Sequence, residues 1–394
     1  FNMLEQRIFD DTKTAFSLKS DSELTRAYYL FKMISLQPLV KIGSVVTNFA
    51  LNANLPIKRL VKATVFDHFC GGESEKECTD TIEAMYSKNV HSVLDFSVEG
   101  KETEELFDAA LKRVVSIIDF AKDRAGIPFA VFKPTGFGRF EVLRKVTENE
   151  KLSDKERAEW KRIQERFHEV CKKAKSCDIK LLIDAEESWM QGAVDDLVLE
   201  MMQTYNKEKP IVFTTLQCYR WDRLAYLKEL HLDGIEKGYH LGVKIVRGAY
   251  MEKERARADK HGYASPICKD KPETDAHFNA MLVYIFDNLD DIWAFVGTHN
   301  EESNYLAIEI MAQKEIAAND DRVWFGQLYG MSDHISFNLA EVGYNVAKYL
   351  PFGPVKDVMP YLIRRAEENT SVAGQTNREL TLIKEEYKRR KHKK

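Results

Sequence analysis

The 394-residue sequence predicts an α/β protein built around a (β/α)8 barrel of the TIM type. After residue 90 it holds eight short runs rich in Val, Ile and Phe, and a segment able to form a helix follows each run. Runs that are almost continuously apolar are typical of parallel strands buried on both faces. Eight such units in roughly 280 residues fit the size of this barrel. A doubly wound sheet is the alternative, but its glycine fingerprint is missing, because Glu141 stands where the third glycine belongs.

The first 90 residues predict an N-terminal helical arm or subdomain. Apolar residues recur there at helical spacing, and Pro38 and Pro56 interrupt the pattern. We expect three helices, over residues 22–35, 37–53 and 55–69.

Residues 91–375 are predicted to form the barrel. The expected strands are 92–96, 128–133, 179–184, 210–216, 241–247, 293–298, 322–328 and 344–350. A charged stretch at about 140–177 predicts an exposed helix pair inserted between the second and third strands. Residues 376–394 form a basic tail, with six Lys or Arg among the last seven residues. The tail favours a disordered, solvated end, and attachment to an anionic membrane is the alternative.

The composition describes a soluble globular protein and argues against several classes of partner. The net charge is −4, which gives the chain no electrostatic basis for binding nucleic acid. The six cysteines form no CxxC pair, a usage that fits a reducing compartment. No HxH or HExxH pattern occurs, and no carboxylate cluster has metal spacing, so we expect no metal. No apolar run approaches the roughly 18 residues that a membrane span requires.

Polar residues stand at the ends of the predicted strands, where a barrel gathers its chemistry. They are Lys133, Asp184, Gln217, Lys244, Arg247, Thr298, His299, Gln327 and Tyr349. Repeated polar residues at the ends of buried strands are hard to explain as core packing, so their convergence predicts a site. A Schiff base on Lys133 is disfavoured, because Asp184 at the next strand end would keep the amine charged.

A second cluster lies in the segment 349–369, whose pattern is that of a strand end, a Pro/Gly turn and a helix. Tyr361, Arg364, Arg365 and Glu368 fall at i, i+3, i+4 and i+7, so they share one helical face. Adjacent arginines beside an acid suit a small carboxylate, because the planar guanidinium matches its two oxygens. A solvated helix surface is the alternative. Together with the basic strand ends, the arginines suit a phosphorylated cofactor and an anionic substrate.

These residues lie in segments that resemble the monofunctional, flavin-dependent proline dehydrogenase family over essentially all of residues 60–370. The matching segments are IDAE at 183–186, VKIVRGAYMEKE at 243–254, GTHN at 297–300, FGQLYGM at 325–331, and YLPFGPV with YLIRRAEEN between 349 and 369. They occur in chain order at the predicted strand ends, and several are long. The first 60 and the last 20 residues match only loosely.

The resemblance implies a distorted barrel that binds FAD without a covalent link. Arg364 and Arg365 would hold the carboxylate of L-proline, with Lys133 as a third cation, and Glu368 would orient the arginines. The residues expected around the pyrrolidine ring are Tyr250, Tyr349 and Tyr361. The residues expected to contact the flavin and its phosphates are Ile183, Gln217, Lys244, Arg247, Gly248, Ala249, Thr298 and His299.

Two residues are assigned to catalysis through the same resemblance, Asp184 and Lys244. Asp184 would pair with Lys133. Lys244 stands where many bacterial relatives carry an arginine beside the flavin, so it keeps the charge and loses the planar fork.

The family's chemistry is oxidation of the proline ring at its C–N bond to Δ1-pyrroline-5-carboxylate, with hydride passing to FAD and electrons to a membrane quinone. A 4-hydroxyproline dehydrogenase with the same site is one alternative, although Tyr349 favours proline, because hydroxyproline-using members carry a small residue there. A membrane-associated barrel that binds amino acids without turnover is the other. The implied location is the bacterial cytoplasmic membrane, as a peripheral protein, or the cytoplasm, and in a eukaryote the matrix side of the inner mitochondrial membrane. The tail or the N-terminal arm would make the membrane contact, and the sequence leaves the oligomeric state open.

Overall fold

The structure is a computed structural model that describes residues 7–98, 102–371 and 373–393, with the backbone alone at 37, 42, 368–371 and 373–375. Its strands are β1 (Val90–Phe96), β2 (Phe129–Phe132), β3 (Lys180–Ile183), β4 (Val212–Gln217), β5 (Leu241–Val246), β6 (Ile292–Gly297), β7 (Val323–Leu328) and β8 (Val346–Phe352). They form a closed barrel in the order β1 to β8. The predicted (β/α)8 barrel is confirmed, and every predicted strand overlaps an observed one.

Helices precede the first strand and fill the connections between the strands. Before β1 they are α1 (Thr12–Ala15), α2 (Asp21–Ile34), α3 (Gln37–Asn52), α4 (Lys58–Val61), α5 (Asp67–Phe69) and α6 (Thr79–Tyr86). Between β1 and β8 they are α7 (Glu104–Ala121), α8 (Phe140–Thr147), α9 (Asp154–Cys177), α10 (Ser188–Tyr205), α11 (Arg223–Lys237), α12 (Met251–His261), α13 (Lys271–Asp287), α14 (Glu301–Gln313) and α15 (Asp333–Glu341). After β8 come α16 (Val355–Ser371) and α17 (Ala373–Lys391).

The chain divides into two compact units, residues 100–326 and residues 1–99 with 327–394. In residues 100–326, neighbouring strands pair in parallel. Near their ends, Phe132 lies opposite Ile183, and Gln217 lies opposite Val246. Because these strands run in the same direction and in step, their carboxyl ends lie along one edge of the sheet.

The core of the 100–326 unit is aromatic. The ring of Phe129 meets the rings of Phe213, Phe295 and Trp324 edge to face, with centroids 5.9, 5.2 and 5.1 Å away. Gly326 makes room for this packing, since a Cβ at that position would lie 2.2 Å from the Phe295 ring. The aromatic cluster therefore fixes the spacing of the strands that carry the polar residues at their ends.

The charged segment between β2 and β3 forms the predicted helix pair, α8 and α9, but the prediction that the pair is exposed is wrong. A full face of α9 is buried, including Ile163, Phe167 and Val170. Arg166 on that face is buried as well, and it donates to Asp108 Oδ1 at 3.1 Å and to the carbonyl oxygen of Phe137 at 2.9 Å. Apolar residues three and four positions apart form a stripe here that the numerous charges conceal in the sequence.

The N-terminal helices belong to the other unit and match the predicted pattern in two cases of three. Helices α2 and α3 lie within a residue of the predicted spans, whereas the third predicted helix begins only at Lys58 and passes through a π-helical turn at Lys62–Phe66. No single helix in the described ranges is long and apolar enough to cross a membrane, although α2 and residues 38–52 pass that test when joined, and they meet at 96°.

An apolar cluster connects these helices to α16. Its buried members are Leu30, Ile34, Leu51, Val61, Phe66, Phe69, Cys70, Met331, Val355, Val358, Met359, Tyr361 and Leu362. Burial of about ten large apolar side chains contributes roughly 1.5–3 kcal/mol each before the entropy of ordering the chain is counted. The helix that carries the predicted arginines is therefore anchored by the N-terminal helices.

The basic tail is not disordered as the sequence favours, because residues 376–391 belong to helix α17. Leu382 and Ile383 are buried against α2 in a small apolar cluster. Arg390 forms an ion pair with Asp21 at 2.9 Å, and Arg389 forms one with Glu386. The regular spacing of apolar residues before the basic run explains the helix, and the basic residues near its C-terminus suit the helix dipole.

Candidate active site

The polar residues predicted at strand ends stand at the carboxyl edge of the sheet in residues 100–326. Ile183 ends β3 and is buried, and Gln217 ends β4. Lys244 lies within β5, two residues before its end. The residues that directly follow a strand, or lie in the loop after it, are Lys133, Asp184, Arg247, Gly248, Ala249, Thr298 and His299. Their placement was predictable, because a strand's end in the sequence is also its end in the sheet.

Asp184 and Lys244 form the central ion pair of this edge. Lys244 Nζ lies 2.5 Å from Asp184 Oδ1, and Lys244 is only 5% exposed. A buried ammonium group requires such a compensating charge. The structure pairs Asp184 with Lys244, whose strand position brings its ammonium group to the end of β3, and the pairing with Lys133 that the resemblance implies stays a prediction.

Glu186 is a buried carboxyl group two residues beyond Asp184. Its Oε2 accepts a hydrogen bond from Thr135 N at 3.0 Å, and its Oε1 accepts one from Thr135 Oγ1 at 2.7 Å. Burial raises the pKa of Glu186 to about 7, although the Thr135 hydrogen bonds and the positive charge of Lys133 favour the carboxylate. The charge of Lys133 therefore acts on Glu186. The hydrogen bonds between Thr135 and Glu186 connect the loops after β2 and β3.

The protein should lose stability between about pH 4.5 and 7 through Glu186. In this window the unfolded chain releases the Glu186 proton near its ordinary pKa of 4.5, while the folded protein holds it until about pH 7. The folded state binds more protons, so the free energy of unfolding falls as the pH rises. We expect a loss of up to about 3 kcal/mol in the free energy of unfolding, which Glu186→Gln removes.

Urea unfolding of the wild type and of Glu186→Gln at the two ends of this pH range measures the difference in the free energy of unfolding. Glu229→Gln, at an exposed position of α11, is the matched control and should keep the wild-type pH dependence. A Glu186→Gln protein with unchanged pH dependence would assign the effect to another group.

Gln217 connects the loops that follow β3 and β5. Its Nε2 donates to the carbonyl oxygen of Glu186 at 2.8 Å, and its Oε1 accepts from Ala249 N at 3.3 Å. Gln217 is 4% exposed, so these bonds form away from water. The residue therefore holds the backbone of two predicted cofactor loops in addition to any contact with a ligand.

The loop after β5 turns sharply at Gly248. Its φ is 141°, and a Cβ there would lie 2.5 Å from the Tyr219 ring, so only glycine fits. Tyr219 Oη in turn accepts a hydrogen bond from Tyr250 N at 3.3 Å. The turn thus places Tyr250, which is half-buried, directly before helix α12.

Arg247 is held by three protein partners and a ring. Its Nε donates to Asp275 Oδ1 at 2.7 Å, its Nη1 to Thr298 Oγ1 at 2.8 Å and its Nη2 to Ser303 Oγ at 2.9 Å. Its guanidinium carbon lies 4.4 Å from the centroid of the Phe278 ring. Two predicted cofactor residues, Arg247 and Thr298, are therefore in contact with each other, and the network fixes the ends of β5 and β6.

The donors at this edge suit an anionic ligand rich in hydrogen-bond acceptors. A guanidinium group has five N–H donors, and hydrogen bonds to Asp275, Thr298 and Ser303 in the described part of the chain use three of those on Arg247. The buried hydroxyl of Thr215, on the strand next to Lys244 and in register with it, has no hydrogen-bond partner among the described residues. Positive charge together with unused donors suits an anionic, acceptor-rich cofactor.

Helix α16, in the other unit, carries the predicted carboxylate-binding arginines. Arg364 and Arg365 are half-buried, and the guanidinium carbon of Arg365 lies 5.0 Å from the centroid of the Tyr361 ring. Tyr361 is 6% exposed and belongs to the apolar cluster that anchors the helix. The shared face of Tyr361 and Arg365 is thus confirmed, while the side chain of Glu368, predicted to orient the arginines, lies outside the described residues.

Tyr349 lies in the middle of β8, which runs to Phe352 instead of ending at residue 350 as predicted. Its neighbour Lys348 is fully buried, with Nζ 2.8 Å from Asp333 Oδ1 and 2.6 Å from the carbonyl oxygen of Met331. Successive strand residues point to opposite faces, so the Tyr349 ring faces away from this ion pair.

The sequence did not assign roles to several residues that hold the site in place. Glu254, which is fully buried, accepts from Ser188 N and Ser188 Oγ, both at 2.6 Å, at the start of α10. Asp275 and Ser303 hold Arg247 from 28 and 56 residues away. Glu254 belongs to a segment that carries the resemblance, so it could have been singled out, whereas nothing local marks the other two. No group of three or more His, Cys, Asp or Glu among the described residues is placed to hold a metal ion.

The chain matches one protein-family model and several curated proteins. Residues 78–378 match the family model described as proline dehydrogenase. The carbapenem antibiotics biosynthesis protein CarD of Pectobacterium carotovorum subsp. carotovorum is 37% identical over 323 residues, which cover 82% of this chain and 83% of that protein. The mitochondrial proline dehydrogenase 1 of Homo sapiens is 39% identical over 255 residues, covering 63% and 41%. The hydroxyproline dehydrogenase of Xenopus laevis is 31% identical over 415 residues, covering 95% and 88%.

The fold is also similar to a solved structure. Proline utilization A (PutA) from Bdellovibrio bacteriovorus, inactivated by N-propargylglycine, superposes with a TM-score of 0.72 at 20% identity. The match covers 93% of this chain and 37% of that one, so the chain spans little more than a third of that protein's length. At this level of identity the likeness establishes the fold alone.

Proposed function

The chain belongs to the proline dehydrogenase family, and on that premise we propose that it oxidises L-proline to Δ1-pyrroline-5-carboxylate with FAD as the hydride acceptor. Electrons then pass from the reduced flavin to a membrane quinone. The observation that carries the proposal is the pair of half-buried arginines, Arg364 and Arg365, inside the segment that matches the family. Adjacent guanidinium groups fit the two oxygens of an amino-acid carboxylate.

Substrate binding rests on charge and on aromatic enclosure. Arg364 and Arg365 bind the carboxylate, Lys133 adds a third positive charge, and Glu368 orients the arginines. Fixing the carboxylate limits the motion of the pyrrolidine ring and so orders its C5–H bond for hydride transfer. The rings that enclose the pyrrolidine are those of Tyr250, Tyr349 and Tyr361, and they keep water away from the reacting carbon.

FAD, when bound, supplies the hydride-accepting chemistry that no side chain provides. The residues that would hold it are Ile183, Gln217, Lys244, Arg247, Gly248, Ala249, Thr298 and His299. Asp184 fixes the Lys244 ammonium group at the end of β3, and Arg247 fixes the Thr298 hydroxyl, as their ion pair and hydrogen bond support. A preorganised positive charge is effective in such a water-poor site, because it needs no reorientation during the reaction.

The purified protein should be yellow and should release intact FAD when acid precipitates it, without any proteolysis. We expect this because the proposed cofactor residues act through charge, hydrogen bonds and packing. The flavin in the supernatant and in the pellet is measured by absorbance and chromatography. A colourless protein that remains colourless after incubation with FAD would contradict the flavoenzyme, and it would favour a barrel that binds amino acids without turnover.

A 4-hydroxyproline dehydrogenase is the second candidate, because the Xenopus laevis hydroxyproline dehydrogenase is similar over 95% of this chain. In our proposal, Tyr349 disfavours 4-hydroxyproline as the substrate. The resemblance places a small residue at this position in hydroxyproline-using members, and a phenol ring leaves little room for a 4-hydroxyl group.

We expect kcat/KM for L-proline to exceed that for trans-4-hydroxy-L-proline by about 5- to 150-fold, since overpacking by one oxygen costs roughly 1–3 kcal/mol. Tyr349→Ser should narrow the ratio, mainly through lower efficiency with proline. Tyr349→Phe keeps the ring and should keep the ratio. Equal use of both substrates by the wild type, or a ratio that Tyr349→Ser leaves unchanged, would show that Tyr349 does not select the substrate.

The proposed location follows the electron acceptor. Eukaryotic relatives of the chain are named mitochondrial. In a eukaryotic cell we propose the matrix side of the inner mitochondrial membrane, and in a bacterium the cytoplasmic face of the membrane or the cytoplasm. Peripheral contact with the bilayer would bring the flavin within reach of a quinone.

A further inference from the structure

The exposed face of α3 is apolar, which is the reverse of what a surface helix normally presents to water. Val45, Val46 and Phe49 are 70%, 59% and 70% exposed. On the same helix the polar residues Ser44 and Thr47 are half-buried. Large apolar side chains of α3 thus face solvent while polar side chains of the same helix are partly covered, and this requires an explanation.

Further exposed apolar side chains lie close to this face in the sequence. Nine of the nineteen exposed large apolar side chains of the described residues fall between 29 and 60, so they are concentrated and not scattered. They are Tyr29, Met33, Leu36, Leu39, Val45, Val46, Phe49, Leu55 and Leu60. We call these residues the α3 patch.

The sequence stretch that carries the α3 patch contains only positive charges. Residues 27–66 contain five basic residues and not one Asp or Glu, although the whole sequence holds 62 acidic residues. The basic residues are Lys32, Lys41, Lys58, Arg59 and Lys62. Lys58 and Lys62 contact Glu73, and Lys32, Lys41 and Arg59 are exposed. The occupant of this patch therefore combines an apolar interior with negative charge.

We propose that α3 lies in the headgroup region of an anionic lipid bilayer and inserts Val45, Val46 and Phe49 among the acyl chains. An apolar face flanked by lysine and arginine is the pattern of helices that bind in the plane of a membrane. A second copy of the chain fits less well, because a twofold contact through this patch would oppose two sets of positive charges. The 16 residues of α3 fall short of the roughly 20 that span a bilayer, so the helix lies along the surface.

Two other surface features fit this role less well, namely the basic end of helix α17 and the exposed apolar pair on α11. In the C-terminal helix, Arg389 and Arg390 are already engaged by Glu386 and Asp21. Leu232 and Ile235 on α11 are as exposed as the α3 patch, at 66% and 59%, but Asp233 and Glu236 lie among them. Of these three features of the described residues, only the α3 patch combines closely spaced exposed apolar residues with the absence of acidic neighbours in the sequence.

The buried side of α3 connects the proposed membrane contact with the helix that carries the proposed substrate-binding arginines. Leu51 of α3 belongs to the same buried cluster as Tyr361 and Leu362 of α16, the helix that carries Arg364 and Arg365. The proposed membrane-binding helix and the proposed substrate-binding helix are therefore packed in one core.

Flotation with lipid vesicles tests the proposal, without proline or an electron acceptor, so the result does not depend on the proposed oxidation. The wild type should bind vesicles that contain phosphatidylglycerol at least tenfold more tightly than vesicles of phosphatidylcholine alone. The double variant Val45→Ser/Phe49→Ser should bind the anionic vesicles at least tenfold more weakly. Leu232→Ser/Ile235→Ser, with matched exposure on α11, should bind like the wild type.

Thermal unfolding confirms that each variant is folded, and Lys41→Glu serves as a second probe that leaves the packing intact. It should reduce the preference for anionic vesicles. Equal binding of the wild type and Val45→Ser/Phe49→Ser would overturn the proposal. A second outcome would also overturn the proposal: the wild type does not bind vesicles but forms dimers, and Val45→Ser/Phe49→Ser is monomeric in sedimentation velocity. That result would assign the α3 patch to contact with a second copy of the chain.

Discussion

Arg365→Met should raise the KM for L-proline by about 10- to 150-fold while the protein keeps its FAD. A hydrogen bond between charged groups contributes roughly 1.5–3 kcal/mol, and each 1.4 kcal/mol corresponds to tenfold in affinity. Met preserves the length and the apolar part of the side chain, so it can still pack on the Tyr361 ring beneath Arg365. Arg365→Lys should also be impaired, because a point charge cannot bind both carboxylate oxygens in the guanidinium geometry.

Arg124→Met is the matched control, since Arg124 is exposed at the end of α7 and lies over the Phe120 ring in a similar way. Its KM for proline should equal that of the wild type. Steady-state kinetics with a soluble dye acceptor, together with the flavin content of each variant, give the comparison. Unchanged proline kinetics in a folded Arg365→Met protein would assign Arg364 and Arg365 to a solvated helix surface.

Lys244→Met should lower both stability and turnover. Removing one partner of a buried ion pair typically costs about 3–5 kcal/mol, and Lys244 compensates Asp184 in an environment that is largely closed to water. Loss of a preorganised charge at the proposed flavin site should also reduce kcat/KM by about a hundredfold or more. The double variant Asp184→Asn/Lys244→Met should be more stable than Lys244→Met, because it leaves no uncompensated charge.

Lys180→Met is the control for this change. Lys180 begins β3 at the opposite end of the strands, where its ammonium group lies 5.6 Å from the Phe129 ring centroid. This variant should keep wild-type turnover. Chemical unfolding and proline kinetics are then measured on the wild type, Asp184→Asn, Lys244→Met and the double variant, which together form a double-mutant cycle. Additive effects of Asp184→Asn and Lys244→Met would show that the ion pair does not couple the two residues.

The barrel was predictable from the sequence because its strands are buried on both faces and therefore consist of continuous apolar runs. The site residues that end these runs, such as Asp184 and Arg247, were predictable for the same reason. The spacing of Tyr361 and Arg365 on α16 was also readable, since four residues make about one helical turn. In each case local periodicity and element order determine the position.

Pairings between distant segments were not predictable in the same way. Lys244 and Asp184 are 60 residues apart, and Arg247 and Ser303 are 56 apart, so their contacts depend on the barrel's register and on side-chain length. The tail is a similar case, because Arg390 reaches Asp21 only after α17 has packed on α2. The density of basic residues predicted a solvated C-terminal end, whereas packing against α2 holds this segment in a helix.

The most direct test of the proposed function is an anaerobic titration of the FAD-containing protein with L-proline. We predict that proline bleaches the oxidised flavin absorption, with one Δ1-pyrroline-5-carboxylate formed for each flavin reduced, and that a quinone analogue restores the colour. Arg365→Met should require a much higher proline concentration for the same bleaching. A flavin that stays oxidised in the presence of excess proline, in a folded protein with full FAD content, would contradict proline oxidation by this chain.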